Sequence, residues 1–362
     1  MHISIIPPKG KEIVVPKTSE CLMIHGRDLL YYMYQELDIV AYKDYFGLTY
    51  CGGKDGKLRW LEEDDQMRKL EQSLGRKMTF QVAASCHPEE PEETFDCRPS
   101  RRLFRDLIKD KLLKGQLGCE VELHAELDAI ILQTEQGDYS SDYSSYEEAL
   151  LNLDICSPTY LSCGKSPSEA YYLKLVKQYH KKLAGVSKKD GERMYLSRLR
   201  DIPFYPYKVY QTVELNGGNV SVGLRQKGLC VLEYGTCERF VAPKIINEYL
   251  WSDLRYCTHS KHKVRLGVFS GAQMEELTLK IKGPRGVDEG NCLFKDITKY
   301  RDIYLAKKCE NVGKAERAAI LMLGGANSGP DRKISAFTES IENSFRMLRQ
   351  RAKNQPLRES LE

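Results

Sequence analysis

The sequence predicts an α+β chain of three successive lobes followed by a C-terminal tail helix. Hydrophobic residues recur with strand-like spacing up to about residue 86. Helical spacing takes over across 97–210, and period two returns from 216 before closing on one helix. The 362 residues, 41% hydrophobic and 29% charged, supply apolar material for several small cores and exclude general disorder.

The first lobe, 1–86, opens with two β-branched runs, 2–6 and 12–15, separated by Pro-Pro-Lys-Gly-Lys, which reads as a hairpin. A helix over 27–37 follows, with Leu29, Leu30, Met33 and Leu37 on one face. Strands at 45–50, 58–61 and 78–83 complete a β-β-α-β-β-β order that suits a ubiquitin-like roll. His87-Pro88-Glu89-Glu90-Pro91-Glu92-Glu93 has the composition of a linker. The second lobe, 97–210, is a helical bundle: Leu103, Phe104, Leu107, Ile108 and Leu112 share one face, and Leu123, Ala125, Leu127, Ile130 and Ile131 form another apolar set. Further helical patterns span 146–153, 169–183 and 193–200. The third lobe, 216–311, carries strands at 219–224, 228–234, 250–257, 263–269 and 276–282. It ends in a helix with Leu293, Phe294, Ile297, Tyr300, Tyr304 and Leu305 on or near one face. Residues 312–333 read as a flexible linker. In the tail helix, 334–354, Ile334, Phe337, Ile341 and Leu348 form a heptad-like seam.

Charge is graded along the chain. The formal net charge of +4 is too small to argue for nucleic acid, but residues 1–97 carry −5, 98–200 +2 and 201–362 +7. Twelve dispersed cysteines without a CxxC pair read as reduced cytosolic thiols. The start lacks the pattern of a signal peptide, and no apolar run approaches the length of a membrane span, so membrane contact is expected to be peripheral.

No constellation carries catalysis. There is no GxSxG or Cys-centred signature, and the seven histidines are scattered. Cys257, His259 and His262 are zinc-type ligands without a suitably spaced fourth, and a solvated hairpin explains them better. Gly324–Gly329 lacks the GK[ST] of a phosphate loop. The hydroxyl-rich run 138–146 suits phosphorylation, but a polar loop capping a helix near Tyr146, with Ser144 or Ser145 as cap, is preferred. Neither a cofactor nor a metal is expected.

Local signatures point to a family. Lys43-Asp44-Tyr45-Phe46-Gly47-Leu48-Thr49-Tyr50, with Trp60-Leu61 after the next turn, resembles a "DYFGL" strand. Gln133-Thr134-Glu135-Gln136-Gly137-Asp138-Tyr139 resembles a "QxExGDY" segment, and Trp251 sits before a third-lobe strand. In this order they resemble the FERM module of the band 4.1 superfamily over roughly residues 1–311. The resemblance implies a cloverleaf of a ubiquitin-like roll, a helical bundle and a pleckstrin/phosphotyrosine-binding-like barrel.

It also implies a non-catalytic cytoplasmic adaptor, peripheral at the membrane and cytoskeleton. Such an adaptor links membrane-protein tails and acidic lipid to the cortex or to signalling complexes. The alternative is the targeting FERM fragment of a larger phosphatase or kinase; a nucleic-acid binder would need surface aromatics beside the basic third lobe.

Two candidate sites follow. In a pleckstrin-like lobe a peptide adds to the strand edge beside the C-terminal helix. The expected edge is 263–269, with Val264, Leu266 and Val268 facing Ile297, Tyr300 and Tyr304. The expected lipid face is Lys261, Lys263, Arg265, Lys280 and Lys282. In the ezrin–radixin–moesin branch, lysines after the first-lobe Trp-Leu help hold a phosphoinositide. Here that stretch is Glu62-Glu63-Asp64-Asp65, so that site is not carried over.

Overall fold

In the computed structural model, β1 (His2–Ile6) buries Ile3 and Ile5 and pairs antiparallel with β2 (Ile13–Val14). The residues described are 2–16, 19, 23–52, 56, 58–140, 143–155, 168–233, 243–270, 273–282 and 286–324. The tail helix expected at 334–354 lies outside them. The described residues form two compact units, one of residues up to Lys208 together with 243–244, the other of 209–233 and those from 245 onward.

In the first unit, α1 (Gly26–Glu36) buries Leu29, Leu30 and Met33. Its start is fixed by the Asp28 carboxylate, which accepts the N–H groups of Ile24 and His25 at 2.9 and 2.7 Å. β3 (Phe46–Cys51), β4 (Leu58–Trp60) and β5 (Lys77–Ala84) complete a sheet ordered β2-β1-β5-β3-β4. β1 and β5 run parallel, as a ubiquitin-like roll requires. One element was not anticipated: α2 (Met67–Leu74) precedes β5 and buries Met67 and Leu70.

The helical part of this unit comprises α3 (Pro91–Thr94), α4 (Arg98–Leu113), α5 (Val121–Gln136), α6 (Tyr143–Asn152), α7 (Glu169–Lys182) and α8 (Lys188–Arg198). The expected α4 face, Leu103, Phe104, Leu107, Ile108 and Leu112, is buried. α6 begins at Tyr143, so Ser144 and Ser145, expected just before a helix near Tyr146, lie within its range.

The segment expected as a linker is instead packed. His87 is 7% exposed and stacks on Tyr205 at 5.5 Å with ring planes 4° apart. Its Nδ1–H donates to the Tyr205 carbonyl at 2.7 Å, which leaves Nε2 to accept from Lys111 at 2.8 Å. Phe95 lies 5.6 Å from Phe46 and 4.8 Å from Phe104, so an aromatic cluster joins β3 to α4.

The second unit is a seven-stranded sheet ordered β10-β11-β12-β6-β7-β8-β9. Its strands are β6 (Lys208–Leu215), β7 (Gly218–Leu224), β8 (Gly228–Glu233), β9 (Ile245–Leu250), β10 (Leu254–Ser260), β11 (Lys263–Ser270) and β12 (Gln273–Ile281). Three expectations are corrected. β6 starts the lobe before residue 216. The strand expected at 250–257 is broken by a turn at 251–253, because Ser252 and Asp253 favour a turn over a ladder. The closing helix, α9 (Gly286–Gly324), continues through 312–324, where a linker was expected.

Candidate functional site

The edge of the third-lobe sheet beside α9 belongs to β10. β11, the expected edge, pairs with β10 through Val264↔His259 and Leu266↔Cys257, and with β12 through Val264↔Leu279 and Leu266↔Leu277. Hydrogen bonding on both flanks leaves no room there for an added strand. Val264, Leu266, Val268, Ile297 and Tyr300 are each at most 1% exposed and form the core between sheet and helix. Of the six residues expected to line the groove, Tyr304 alone remains partly exposed.

β10 is the terminal strand in the sheet order, and α9 packs across it. Leu254 and Cys257 point into the core, and burial pushes the Cys257 thiol up to about 12. Tyr256, Thr258 and His259 are half-exposed. The His259 ring stacks on Phe294 of α9 at 5.7 Å and 24° between planes. The Tyr256 hydroxyl donates to Glu276 at 2.7 Å, which ties β10 across β11 to β12. Tyr210 of β6 donates to Asp296 and anchors the same helix from another strand. A backbone edge thus runs beside a half-exposed aromatic pair, His259 and Phe294, neither of which was among the expected groove residues. Phe294 was legible in the helix pattern, one position from the buried Leu293, whereas nothing local marked His259.

The expected lipid face divides into two. Glu214 of β6 receives Lys280 at 2.9 Å and Lys282 at 3.1 Å, and these two hydrogen bonds lower its carboxyl pKa. Lys282 also donates to Asn219 at 2.9 Å. Lys261, Lys263 and Arg265 form no ion pair among the described residues, and Lys263 faces Lys280 across the ladder. Three charges therefore remain available of the five expected.

The segments that carried the resemblance are structural. Gln133 Nε2 donates to Asp138 at 2.8 Å and to the Val186 carbonyl at 3.0 Å, and the Gly185 N–H donates to the same Asp138 oxygen. Glu135 receives Arg102, Arg105 and Lys188. These bonds clamp the end of α5 to α4 and to the loop after α7. In the first lobe, a Cβ on Gly47 would sit 3.0 Å from the Trp60 ring, so the small residue makes room for the large one.

The acidic run after Trp60 is also a structural turn. The Glu63 and Asp65 carbonyls accept the Arg27 and Gly26 N–H groups at the start of α1, and Asp65 Oδ2 accepts the Glu62 N–H at 2.9 Å.

A cleft of about 490 Å³ between α3 and α8 is lined by Glu92, Glu93, Asp96, Asp190, Arg193, Met194 and Ser197. Among the described residues no three His, Cys, Asp or Glu side chains gather as a metal site, and no helix is long and apolar enough to cross a membrane.

Comparison with known proteins agrees with this architecture. Residues 90–210 match the family model of the FERM central domain. The Protein 4.1 homolog of Drosophila melanogaster is 25% identical over 249 residues, which is 67% of this chain but 13% of that relative. Among solved structures, the FERM and C-terminal domain complex of Drosophila Merlin matches with a TM-score of 0.71 at 16% identity, covering 86% of this chain and 98% of that one. The MyTH4-FERM MF2 domain of Dictyostelium discoideum myosin VII matches at 0.56 and 12% identity, covering 83% and 58%. The C-terminal MyTH4-FERM domain of human myosin 7b, in complex with the harmonin-a PDZ3 domain, matches at 0.51 and 12% identity, covering 83% and 59%.

Proposed function

We propose that this chain, whose residues 90–210 match the FERM central domain, is a non-catalytic FERM-type adaptor at the membrane–cytoskeleton boundary. Its third lobe takes the cytoplasmic tail of a membrane protein as an added strand on β10. The observation that carries this reading is the terminal position of β10 in the sheet, beside α9 and the His259–Phe294 pair. Backbone hydrogen bonds along 254–260 supply affinity that does not depend on sequence. The two rings select a side chain of the incoming strand. Two structural relatives hold protein partners: Merlin its own C-terminal domain, and myosin 7b a PDZ domain. That precedent supports protein binding as the role and leaves the partner to be found.

The test is a panel of synthetic juxtamembrane tail peptides titrated into the full chain, with amide hydrogen exchange followed by residue. A binding peptide is expected to protect 254–260. Its affinity should fall about tenfold in Phe294→Ala, the effect of truncating one aromatic anchor. Peptides that bind while leaving the exchange of β10 unchanged would overturn the site. The segment containing Ile334, Phe337, Ile341 and Leu348 is a second candidate occupant. Truncation after residue 325 raises peptide affinity if that segment competes for the edge and leaves it unchanged otherwise.

A further inference from the structure

Near the end of α4 stands a side chain whose chemistry the adaptor reading does not use. Lys111 is half-buried in the last turn of the helix, and its Nζ donates to His87 Nε2 at 2.8 Å. It forms no ion pair among the described residues. The acceptor is a neutral ring. His87 commits its Nδ1–H to the Tyr205 carbonyl at 2.7 Å, lies flat on the Tyr205 ring and meets Phe104 edge-on at 6.1 Å, and burial disfavours its charged form. The imidazole therefore presents a lone pair to Lys111, and no opposite charge.

The charged neighbours of Lys111 pull in different directions. Asp110, beside it on α4, favours the ammonium and is itself bound to Lys114 at 2.7 Å. Lys208, at the start of β6 and over the Trp60 ring at 5.3 Å, opposes it with like charge. Burial is the largest influence and, with Lys208, lowers the Lys111 ammonium to about 8. At pH 7.5 about a quarter of the chains then carry a free amine here, against roughly 0.1% for an ordinary lysine.

We propose that Lys111 is a nucleophilic lysine, a site of acylation by activated acyl donors, an acyl phosphate or a thioester. The inference is independent of the adaptor reading. His87 holds the amine through one N–H, which leaves the nitrogen lone pair for the electrophile, and desolvation beside a second cation is how proteins activate such an amine. In the step, Lys111 Nζ attacks the acyl carbon and an N–C bond forms. The bond from that carbon to phosphate oxygen or thioester sulfur breaks, phosphate or thiolate leaves with the electron pair, and the Nζ proton passes to solvent. The surroundings favour acyl donors over aldehydes. The amide product keeps an N–H for His87 Nε2 and carries no charge toward Lys208, whereas an imine either lacks the N–H or restores the cation.

The experiment treats the folded full chain at pH 7.5 with acetyl phosphate and, separately, with acetyl coenzyme A. Acetylation of each lysine is followed over time by peptide mass spectrometry. Lys111 should react at least about tenfold faster than the exposed Lys174 and Lys189; the amine fraction alone gives roughly 200-fold, and partial burial offsets part of it. Its rate should level off above about pH 9, while the exposed lysines continue to rise. Lys208→Met keeps an apolar stem, removes the like charge and should slow Lys111 severalfold with Lys174 unchanged.

Preference for Lys111 with either donor supports the proposal, and the donor that shows it identifies the source. Absence of preference with both overturns it. So does a Lys111 rate that climbs with pH in step with Lys174, or undiminished acetylation of Lys111 in a Lys208→Met chain that circular dichroism shows to be folded. Should that variant fail to fold, the pH profile of the parent chain decides.

Discussion

Replacing Glu192 with Ala should destabilise the first unit by about 3–5 kcal/mol, the cost of breaking a buried pair from one side. Glu192 of α8 is 3% exposed and Arg101 of α4 is 5% exposed. The two carboxylate oxygens receive Arg101 Nε at 3.1 Å and Arg98 Nε at 3.3 Å. After the substitution Arg101 keeps only backbone acceptors, the carbonyls of Asp96 at 2.5 Å and Phe95 at 3.5 Å. A full positive charge is then buried with no opposite charge. At roughly 2–4 °C per kcal/mol for a unit of this size, the melting temperature should fall by about 6–20 °C. The assay is thermal and urea unfolding followed by circular dichroism. Arg101→Met combined with Glu192→Leu should recover most of the loss, since an apolar pair of similar volume carries no desolvation penalty. A loss below about 1 kcal/mol in Glu192→Ala would refute the argument, because that is the range of a solvent-screened pair.

Acidification should weaken the first unit selectively. Burial lowers the pKa of His87, His124 and His180 below the ordinary value of 6.5. Protons then favour the unfolded chain, so stability is full above about pH 6.5 and declines as pH falls below it; a first-unit stability that is flat between pH 7 and 5 would contradict this. The Lys111 ammonium, which burial lowers to about 8, adds a term of the same sign: its contribution grows as pH rises from about 8 toward 10.5. Gly26→Ala should destabilise the first lobe by roughly 1–3 kcal/mol, because the new Cβ would stand 2.0 Å from the Glu62 carbonyl oxygen and the turn must move; unfolding by urea measures it. Thiol labelling of the native chain should reach Cys51, Cys292 and Cys309 quickly, and should reach Cys86, Cys119, Cys230 and Cys257 only on unfolding; rapid native labelling of Cys257 would contradict its burial.

Local pattern was enough for most elements. Leu103, Phe104, Leu107, Ile108 and Leu112 recur at helical spacing and are buried together, and Val222 and Leu224 alternate and lie in the sheet core. The errors arose where a decisive fact was non-local. The run 87–93 is polar by composition, yet His87 is buried because Tyr205, 118 residues away, supplies both a stacking face and a carbonyl. β6 fell between two expected lobe boundaries, although its partners β12 and β7 fix it as the middle of the sheet. The choice between β10 and β11 as edge was beyond local reading altogether. Both strands carry apolar residues, and only sheet order shows that β11 is enclosed while β10 is not.

Sheet order also bears on where function can sit. The segments that carried the resemblance are consumed by packing: Gln133 and Asp138 by the α5–α7 clamp, Glu135 by three cations and Gly47 by the Trp60 ring, as is the 62–65 turn by the start of α1. Groups satisfied within the fold have nothing left to offer a partner without being broken first. The binding proposed above uses a group the fold leaves unmet, the outer edge of β10. It is unmet for a physical reason, since a terminal strand has a second row of backbone donors and acceptors. If that edge is the site, partner choice can change through His259 and Phe294 while the clamp, the turn and the aromatic cluster keep the scaffold constant.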